Sequence, residues 1–196
     1  MTKLARSKIR LCTTLAMDEV IVHKICTPEK YLIRPEAVYL SKNTFKAIKS
    51  GTDHHQKIFA AGKEMCQWYD LYKKILRESR IKGIPLIIGT DAGAYGEIPY
   101  GVLHGFSLHD ELRILTENGF SPYESIALTT RGAAEAISRQ DEWGTIEIGK
   151  SADFILTKKN PFKTIENLKI KQGVMVAGKW YSENQLQKMI FLEDWR

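Results

Sequence analysis

The stretch from Gly83 to Gly93 constrains the fold more than any other part of this sequence. Its letters are GIPLIIGTDAG, an apolar run of strand length that stops at a Thr-Asp pair with glycines on both sides. A continuous apolar run of this kind is typical of a buried parallel strand. In an α/β barrel, the residues at the carboxyl end of such a strand carry catalytic and metal-binding groups. Asp91 is therefore the first candidate functional residue; the alternative is that it only caps or stabilises a turn.

A long helix is predicted just before this strand. Apolar side chains recur at steps of three and four residues between about Asp53 and Arg80, which is the spacing of an amphipathic helix. Gly83 is predicted to end that helix, because glycine readily adopts the conformation that closes a helix. Further upstream, residues Ile9–Leu15 are predicted to form a short strand, and residues Glu19–Arg34 a loop with a short helix.

Two helix-start patterns follow the strand, after a glycine-rich loop at 92–106. The letters SLHD from Ser107 predict a helix that this serine caps. The letters SPYE from Ser121 predict a second helix, with a capping serine, a proline at its first position and a glutamate that reaches back. We expect the second helix to continue to about Ile137. The loop is long enough to be functional rather than only a connection.

The pattern changes near Trp143 to short apolar runs that glycines separate. Such runs predict antiparallel β structure, with a hairpin through Ala177-Gly178 and a final helix that begins at Ser182. We therefore predict two domains, at residues 1–141 and 142–196. The predicted short strands lie at Thr145–Ile148, Asp153–Thr157, Lys169–Val176 and Lys179–Tyr181.

The composition excludes several classes of protein. The net charge of +6 is spread along the chain without a basic and aromatic recognition motif, which favours a solvated surface over nucleic-acid binding. No apolar run approaches the roughly 20 residues of a membrane span, and the start of the chain lacks the apolar stretch of a signal peptide. We therefore expect neither a nucleic-acid nor a membrane partner.

The cysteines point to a reducing compartment. Cys12, Cys26 and Cys66 show no CxxC spacing and leave an odd number. This pattern argues against a disulfide framework and against a structural zinc knuckle. We therefore expect a cytoplasmic protein that does not depend on disulfides.

Several motifs, taken together, resemble one enzyme family. The stretch from Gly83 to Gly93 resembles the last barrel strand of the amidohydrolase superfamily. The letters WGTIEIGKSADFI at 143–155 resemble the segment by which the chain of that family returns from the barrel to a small β domain. Four segments between these two stretches resemble the helix pair that follows the last barrel strand in the imidazolonepropionase-like and prolidase-like members of the family. These segments are His104-Gly105, Glu111-Leu112, Asn118–Pro122 and Ala127–Thr130. The resemblance covers residues 83–181 and is faint before them.

The resemblance implies a fold and a chemistry. The fold is α/β: the C-terminal part of a (β/α)₈ TIM-like barrel of the metal-dependent hydrolases, followed by part of a small β-sandwich. The reaction is hydrolysis of a C–N bond (amide, cyclic amide or dipeptide) by water that a divalent metal, zinc, activates. By motif match, Asp91 is the metal ligand and the catalytic proton carrier. His104 is a candidate substrate-binding residue; the alternative is a loop histidine bonded to the backbone.

The sequence also departs from this family. The His-x-His pair of the first barrel strand is absent, and no positions match the later lysine and histidine ligands. We therefore expect an N-terminally truncated chain that is inactive alone, with a complementing N-terminal segment or a homo-oligomer as its partner. The expected substrate is a small amide or peptide-like molecule. The alternative function is a catalytically inactive remnant or interaction module that keeps only this piece of the fold.

Overall fold

Strands and helices alternate in the first part of the chain, and an antiparallel sheet follows them. The computed structural model describes residues 2–6, 9–27, 62–92 and 102–190 of the chain. The first part contains α1 (Thr2–Ala5), β1 (Leu11–Thr13), α2 (Leu15–Cys26), α3 (Gly62–Ile81), β2 (Leu86–Ile88), α4 (Phe106–Glu117), α5 (Pro122–Thr129) and α6 (Arg131–Ala136). The second part contains β3 (Phe154–Thr157), a 3₁₀ helix (Ile165–Lys169), β4 (Lys171–Val176), β5 (Lys179–Ser182) and α7 (Glu183–Ile190).

Strands β1 and β2 form a parallel pair. Leu11 lies opposite Leu86, and Thr13 lies opposite Ile88, so the two strands end side by side. The amide of Gly89 extends the pairing by donating to the carbonyl oxygen of Thr13 at 2.9 Å. Parallel strands require a crossover connection, and here the chain between them contains α2 and α3.

Helices α2, α3 and α4 pack together around this strand pair. On α3, Tyr69 and Leu76 are buried two turns apart, which is the spacing of one helix face. The core cluster consists of Leu15, Ala16, Tyr69, Leu76, Leu86, Ile114, Leu115 and Phe120. This packing places the carboxyl end of β1 at the start of α2, where Thr13 contacts Glu111 of α4.

Glu19 links these three helices through polar contacts. Its carboxylate on α2 accepts a hydrogen bond from the hydroxyl of Tyr69 on α3 at 3.1 Å and forms an ion pair with Arg113 on α4. Glu19 and Arg113 are both largely shielded from water, which makes their contact stronger than a typical surface ion pair.

Strands β3, β4 and β5 form an antiparallel sheet in that order. The predicted hairpin through Ala177-Gly178 is confirmed, and both turn residues have positive φ (48° and 78°). Gly173 of β4 allows the ring of Trp180 to lie against the strand, because a Cβ at this position would be 2.2 Å from that ring. The predicted strand at Thr145–Ile148 is wrong: these residues form no strand, with a bend at Thr145 and a turn at Ile148, and Ile146 and Ile148 are exposed.

The segment after β1 differs from its prediction. Residues Leu15–Cys26 form a helix that begins earlier than predicted, since the prediction placed a loop with a short helix at Glu19–Arg34. The β-branched residues of this helix have low helix propensity, but Val20 and Ile21 are buried, and packing overrides propensity. The rest of the predicted loop, and the predicted start of the long helix near Asp53, lie outside the described residues.

The two predicted serine caps had opposite outcomes. Ser121 forms the predicted capping box: its hydroxyl accepts from the amide of Glu124 at 3.1 Å, and its own amide donates to the Glu124 carboxylate at 2.7 Å. The Ser107 cap is wrong, because Gly105 (φ 77°) occupies the N-cap position and Ser107 falls inside α4, buried. The predicted helix from Ser121 to Ile137 is broken at Thr130 into α5 and α6.

The cysteines also correct an expectation. Cys26 and Cys66 form a disulfide that joins α2 to α3, with their Cα atoms 6.7 Å apart. Forty residues separate them in the sequence, so no local spacing signalled the pair. Cys12 stays a free thiol. None of the helices in the described ranges combines the length and apolar character needed to cross a bilayer.

Candidate active site

Asp91 follows β2 at the end where both strands stop. Strand β2 ends at Ile88, and Asp91 is exposed with a φ of 55°, a backbone conformation that aspartate tolerates better than most residues. The turn is closed by its neighbour: the amide of Ala92 donates to the hydroxyl of Thr90 at 3.3 Å. Among the described residues, no hydrogen bond to the Asp91 carboxylate is seen.

Gly89 keeps the two strand ends close together. A Cβ at this position would be 3.0 Å from the sulfur of Cys12 and 3.2 Å from the carbonyl oxygen of Thr13. A larger residue would therefore push the start of the Asp91 turn away from β1. The glycine before the Thr-Asp pair thus has a packing role as well as a conformational one.

Asp18 on α2 adds a second carboxyl group near Asp91. Burial and, to a smaller extent, the negative charge of Asp91 raise the pKa of Asp18 to about 6. The first strand of the pair therefore leads into a helix that carries an acidic group toward the site. This carboxyl group therefore holds its proton more tightly than an ordinary aspartate, and its protonated and ionised forms are both populated near pH 6.

Glu111 on α4 is fully buried and bonded to the segment that follows β1. One carboxylate oxygen accepts a hydrogen bond from the hydroxyl of Thr13 at 3.0 Å, and the other accepts from the amide of Ala16 at 2.6 Å. Burial raises the pKa of Glu111 to about 7, although both hydrogen bonds act in the opposite direction. This side chain therefore connects α4 to the end of β1 and to the start of α2.

A cleft of about 350 Å³ opens between the end of β1 and α3. Its lining combines apolar side chains of α3 with Cys12, Thr14 and Asp18, and it does not include Asp91. The volume suits a small molecule. Burial, then the charges of Glu111 and Asp91, raise the pKa of the Cys12 thiol beside it.

His104 lies just before α4 and is exposed. Among the described residues, no hydrogen bond or ion pair joins it to Asp91. The structure therefore places the two predicted site residues on either side of the 93–101 segment without bringing their side chains into contact. Another histidine, His23, is bonded within α2, where its Nδ1 lies 2.8 Å from the hydroxyl of Thr27.

The described residues do not by themselves fit a metal ion. No group of three His, Cys, Asp or Glu side chains in the described ranges lies close enough together to hold one. A catalytic zinc takes about three protein ligands. Asp91 offers a carboxylate of the right chemistry, but it is a single ligand.

Asp18 and Glu111 are site residues that the sequence prediction missed as such. The signal for Glu111 was present: it lies on the buried face of α4, one turn after Ser107 and one turn before Leu115. A charged residue on an apolar helix face requires a partner. Asp18 had a weaker signal, because it lies between the predicted strand at Ile9–Leu15 and the predicted loop with a short helix at Glu19–Arg34.

The model of the amidohydrolase family matches residues 71–181, and the chain therefore belongs to this family. Members of the family are hydrolases that act on C–N bonds and generally bind divalent metals. The comparison with curated protein sequences gave no match.

Solved structures support the same assignment. A Xaa-Pro dipeptidase with bound methionine in its active site is 26% identical, with a TM-score of 0.54, over 71% of this chain and 33% of its own. A bottromycin amidohydrolase is 19% identical, with a TM-score of 0.65, over 93% and 39%. Another amidohydrolase is 22% identical, with a TM-score of 0.61, over 92% and 36%.

These likenesses indicate a TIM-barrel-like fold, of which the described residues form a part. The chain spans between 33% and 39% of the length of these three structures. Two parallel strands do not close a barrel, and the described residues contain no further parallel strand. The predicted amidohydrolase resemblance is confirmed. The predicted C-terminal part of a barrel agrees with the fold of these structures, but the described residues do not show the barrel itself.

Proposed function

We propose that the chain supplies the catalytic aspartate, Asp91, to an amidohydrolase that cleaves a C–N bond in a small amide, cyclic amide or dipeptide. One observation carries the proposal. Within the family-matched segment, Asp91 lies at the carboxyl end of a parallel strand with an exposed carboxylate, and Thr90 makes the local turn bond instead.

The proposed role of Asp91 is proton transfer. Its carboxylate accepts a proton from the attacking water while the oxygen of that water bonds to the substrate carbonyl carbon. The same proton then passes to the substrate nitrogen as the C–N bond breaks, so the aspartate returns to its starting state. Asp18 supports this role, because a second carboxyl group with a pKa of about 6 lies close enough to sense the charge of Asp91.

A divalent metal, zinc in this proposal, supplies Lewis-acid polarisation and a more acidic water when it is bound. Asp91 would be one ligand. Because the described residues bring no second or third ligand beside it, the others must come from outside them. We propose a complementing N-terminal segment as their source, with a second copy of the chain as the alternative source.

Two further assignments remain proposals. His104, exposed before α4, is proposed to contact the substrate from the loop that follows Asp91. The division into a barrel part at 1–141 and a β-sandwich part at 142–196 is proposed from the change in strand type, since β1 and β2 are parallel and β3 to β5 are antiparallel.

A second candidate function is an inactive remnant or interaction module. The observation in its favour is the single candidate ligand at the strand end, without a metal-holding group in the described part of the chain. A binding module of this kind would keep the hydrophobic packing and the Glu111 contacts but would show no turnover under any condition.

The test combines the chain with the proposed complementing N-terminal segment, either fused in one polypeptide or as two purified chains. Hydrolysis of a Met-Pro dipeptide and of an N-acyl amino acid is measured with and without added zinc. We expect turnover only in the combined protein. Asp91→Asn should reduce kcat by roughly 10²-fold or more, because it removes the group that carries the proton.

Asp70→Asn is the matched control. Asp70 is an exposed acid on α3, paired with Lys73 at 2.8 Å, so its loss should leave turnover unchanged. Circular dichroism of both variants should match the wild-type chain. Turnover that survives Asp91→Asn contradicts the catalytic role, and a combined, zinc-loaded protein without any hydrolysis supports the inactive module.

A further inference from the structure

Glu111 joins two segments that lie 95 residues apart in the sequence. Its side chain starts on α4 and is completely buried, and its two oxygens accept from the Thr13 hydroxyl and the Ala16 amide. Both donors are buried as well: Thr13 is 7% exposed and Ala16 is 1% exposed. The contact is therefore shielded from water. This strengthens the hydrogen bonds and increases the loss of stability when one partner is removed.

The two donors occupy special places in the fold. Thr13 is the last residue of β1 and lies opposite Ile88, the last residue of β2. Its carbonyl oxygen also accepts from the amide of Gly89, the residue that begins the turn toward Asp91. Glu111 is thus bonded to the β1 residue that directly touches the Asp91 turn.

We propose that Glu111 is a positioning residue for the Asp91 site, holding the β1–α2 turn against the end of β2. The proposal rests on the proposed function, because it takes Asp91 as the reactive carboxylate. Glu111 touches neither substrate nor reacting atoms; it acts through Thr13 and Ala16. The turn that it holds also leads to Asp18, whose carboxyl group senses the charge of Asp91.

The chemistry of the contact explains why a carboxyl group stands here. An apolar side chain would leave the Thr13 hydroxyl and the Ala16 amide buried without acceptors. A glutamine can keep both bonds, because its carbonyl oxygen accepts from Ala16 while its amide nitrogen donates to the hydroxyl of Thr13. The titratable groups that act on Glu111 or feel its charge are Cys12 on β1, Asp18 on α2 and Asp110 on α4.

Amide hydrogen exchange on the purified chain tests the positioning role without requiring activity. Glu111→Met keeps the length of the side chain but removes both acceptors. We expect the Ala16 amide to exchange on the order of 10- to 100-fold faster, and the amide of Leu115, in the core of α4, to change far less. Glu111→Gln should restore slow exchange at Ala16.

Equal acceleration at Ala16 and Leu115 would mean that Glu111 only stabilises the whole fold, and it would overturn the proposal. Thr13→Val keeps the result decisive if the methionine variant does not fold. It retains the volume of threonine and removes only one donor, so the segment from Thr13 to Ala16 should exchange faster while Leu115 stays protected. Unchanged exchange in that segment also overturns the proposal.

The combined protein from the hydrolysis test provides a second readout. Glu111→Met should lower kcat roughly 10- to 100-fold with little change in KM, which is the usual effect of removing a residue that orients an active group. Glu111→Gln should recover most of the rate. If Glu111→Met keeps the wild-type kcat while Asp91→Asn abolishes turnover, the positioning role fails and the proposed function stands. If Asp91→Asn stays active, the proposed function fails, and the positioning role fails with it.

Discussion

The carboxyl groups of Asp18 and Asp91 follow different strands, yet the charge of Asp91 contributes to the raised pKa of Asp18. The parallel register explains why Asp91 acts on Asp18. Thr13 and Ile88 lie side by side, so the segments that follow β1 and β2 both turn at the same edge of the sheet. Burial is the larger cause of the raised pKa, and the neighbouring charge adds to it. The negative charge of Asp91 thus acts on Asp18, although the two residues are far apart in the sequence.

Asp91→Asn should lower the pKa of Asp18. The substitution removes a nearby negative charge and leaves burial unchanged, so the pKa should fall by less than about 1 from its value near 6. Titration of the Asp18 carboxyl carbon by NMR measures the change. Asp70→Asn on the exposed face of α3 is the control and should leave this pKa as it was. An unchanged pKa in Asp91→Asn would show that the two groups do not interact.

The stability of the chain should fall as pH rises toward neutrality because of Glu111. Its pKa is raised from 4.5 to about 7, so the folded chain binds this proton more tightly than the unfolded chain does. The free energy of unfolding should therefore decrease between pH 4.5 and 7, by on the order of 3 kcal/mol in total. Asp18 contributes in the same direction, but only up to about pH 6.

Glu111→Gln isolates this effect because glutamine does not titrate. Denaturant unfolding at several pH values between 4.5 and 8 gives the free energy for both proteins. The difference between wild type and Glu111→Gln should change with pH, with wild type losing stability relative to the variant as pH rises through 7. A difference that stays constant over this range would show that Glu111 has an ordinary pKa.

Two serines should respond oppositely to alanine. Ser121→Ala removes the capping box of α5 and should lower the free energy of unfolding by about 1 kcal/mol. Ser107→Ala should be neutral or stabilising, because the hydroxyl of Ser107 is buried and has no hydrogen-bond partner among the described residues. Denaturant unfolding of the two variants side by side checks both. If Ser107→Ala loses as much stability as Ser121→Ala, Ser107 caps the helix after all and this prediction fails.

These serines show what the sequence could predict. The cap at Ser121 is local, since serine, proline and glutamate within four residues determine it, and the structure contains it. Ser107 fits the same local pattern, but Gly105 starts the helix earlier and turns the serine inward. The hairpin at Ala177-Gly178 was predictable for the same local reason as Ser121.

Long-range contacts were not predictable in this way. Glu111 meets Thr13 and Ala16 only after the helices pack, and Cys26 meets Cys66 for the same reason. Asp91 became a candidate without any contact geometry, because the strand-end pattern and the family motifs both point to it. The carboxyl group of Asp18 needed the structure, since only the strand register brings it near Asp91.

Cys12 offers a chemical probe of both acidic groups. Its thiol pKa is raised by burial and by the negative charges of Glu111 and Asp91, and the other two cysteines are paired in a disulfide. Either Glu111→Gln or Asp91→Asn removes one of these charges, so a larger fraction of the thiol should be ionised at a given pH. Alkylation by iodoacetamide at pH 8, without reductant, should become roughly two- to threefold faster in each variant. Asp70→Asn should react at the wild-type rate, because its carboxylate is not among the groups that raise the thiol pKa. If the alkylation rate falls or does not change in both Glu111→Gln and Asp91→Asn, the charges of these two groups do not raise the pKa of the Cys12 thiol.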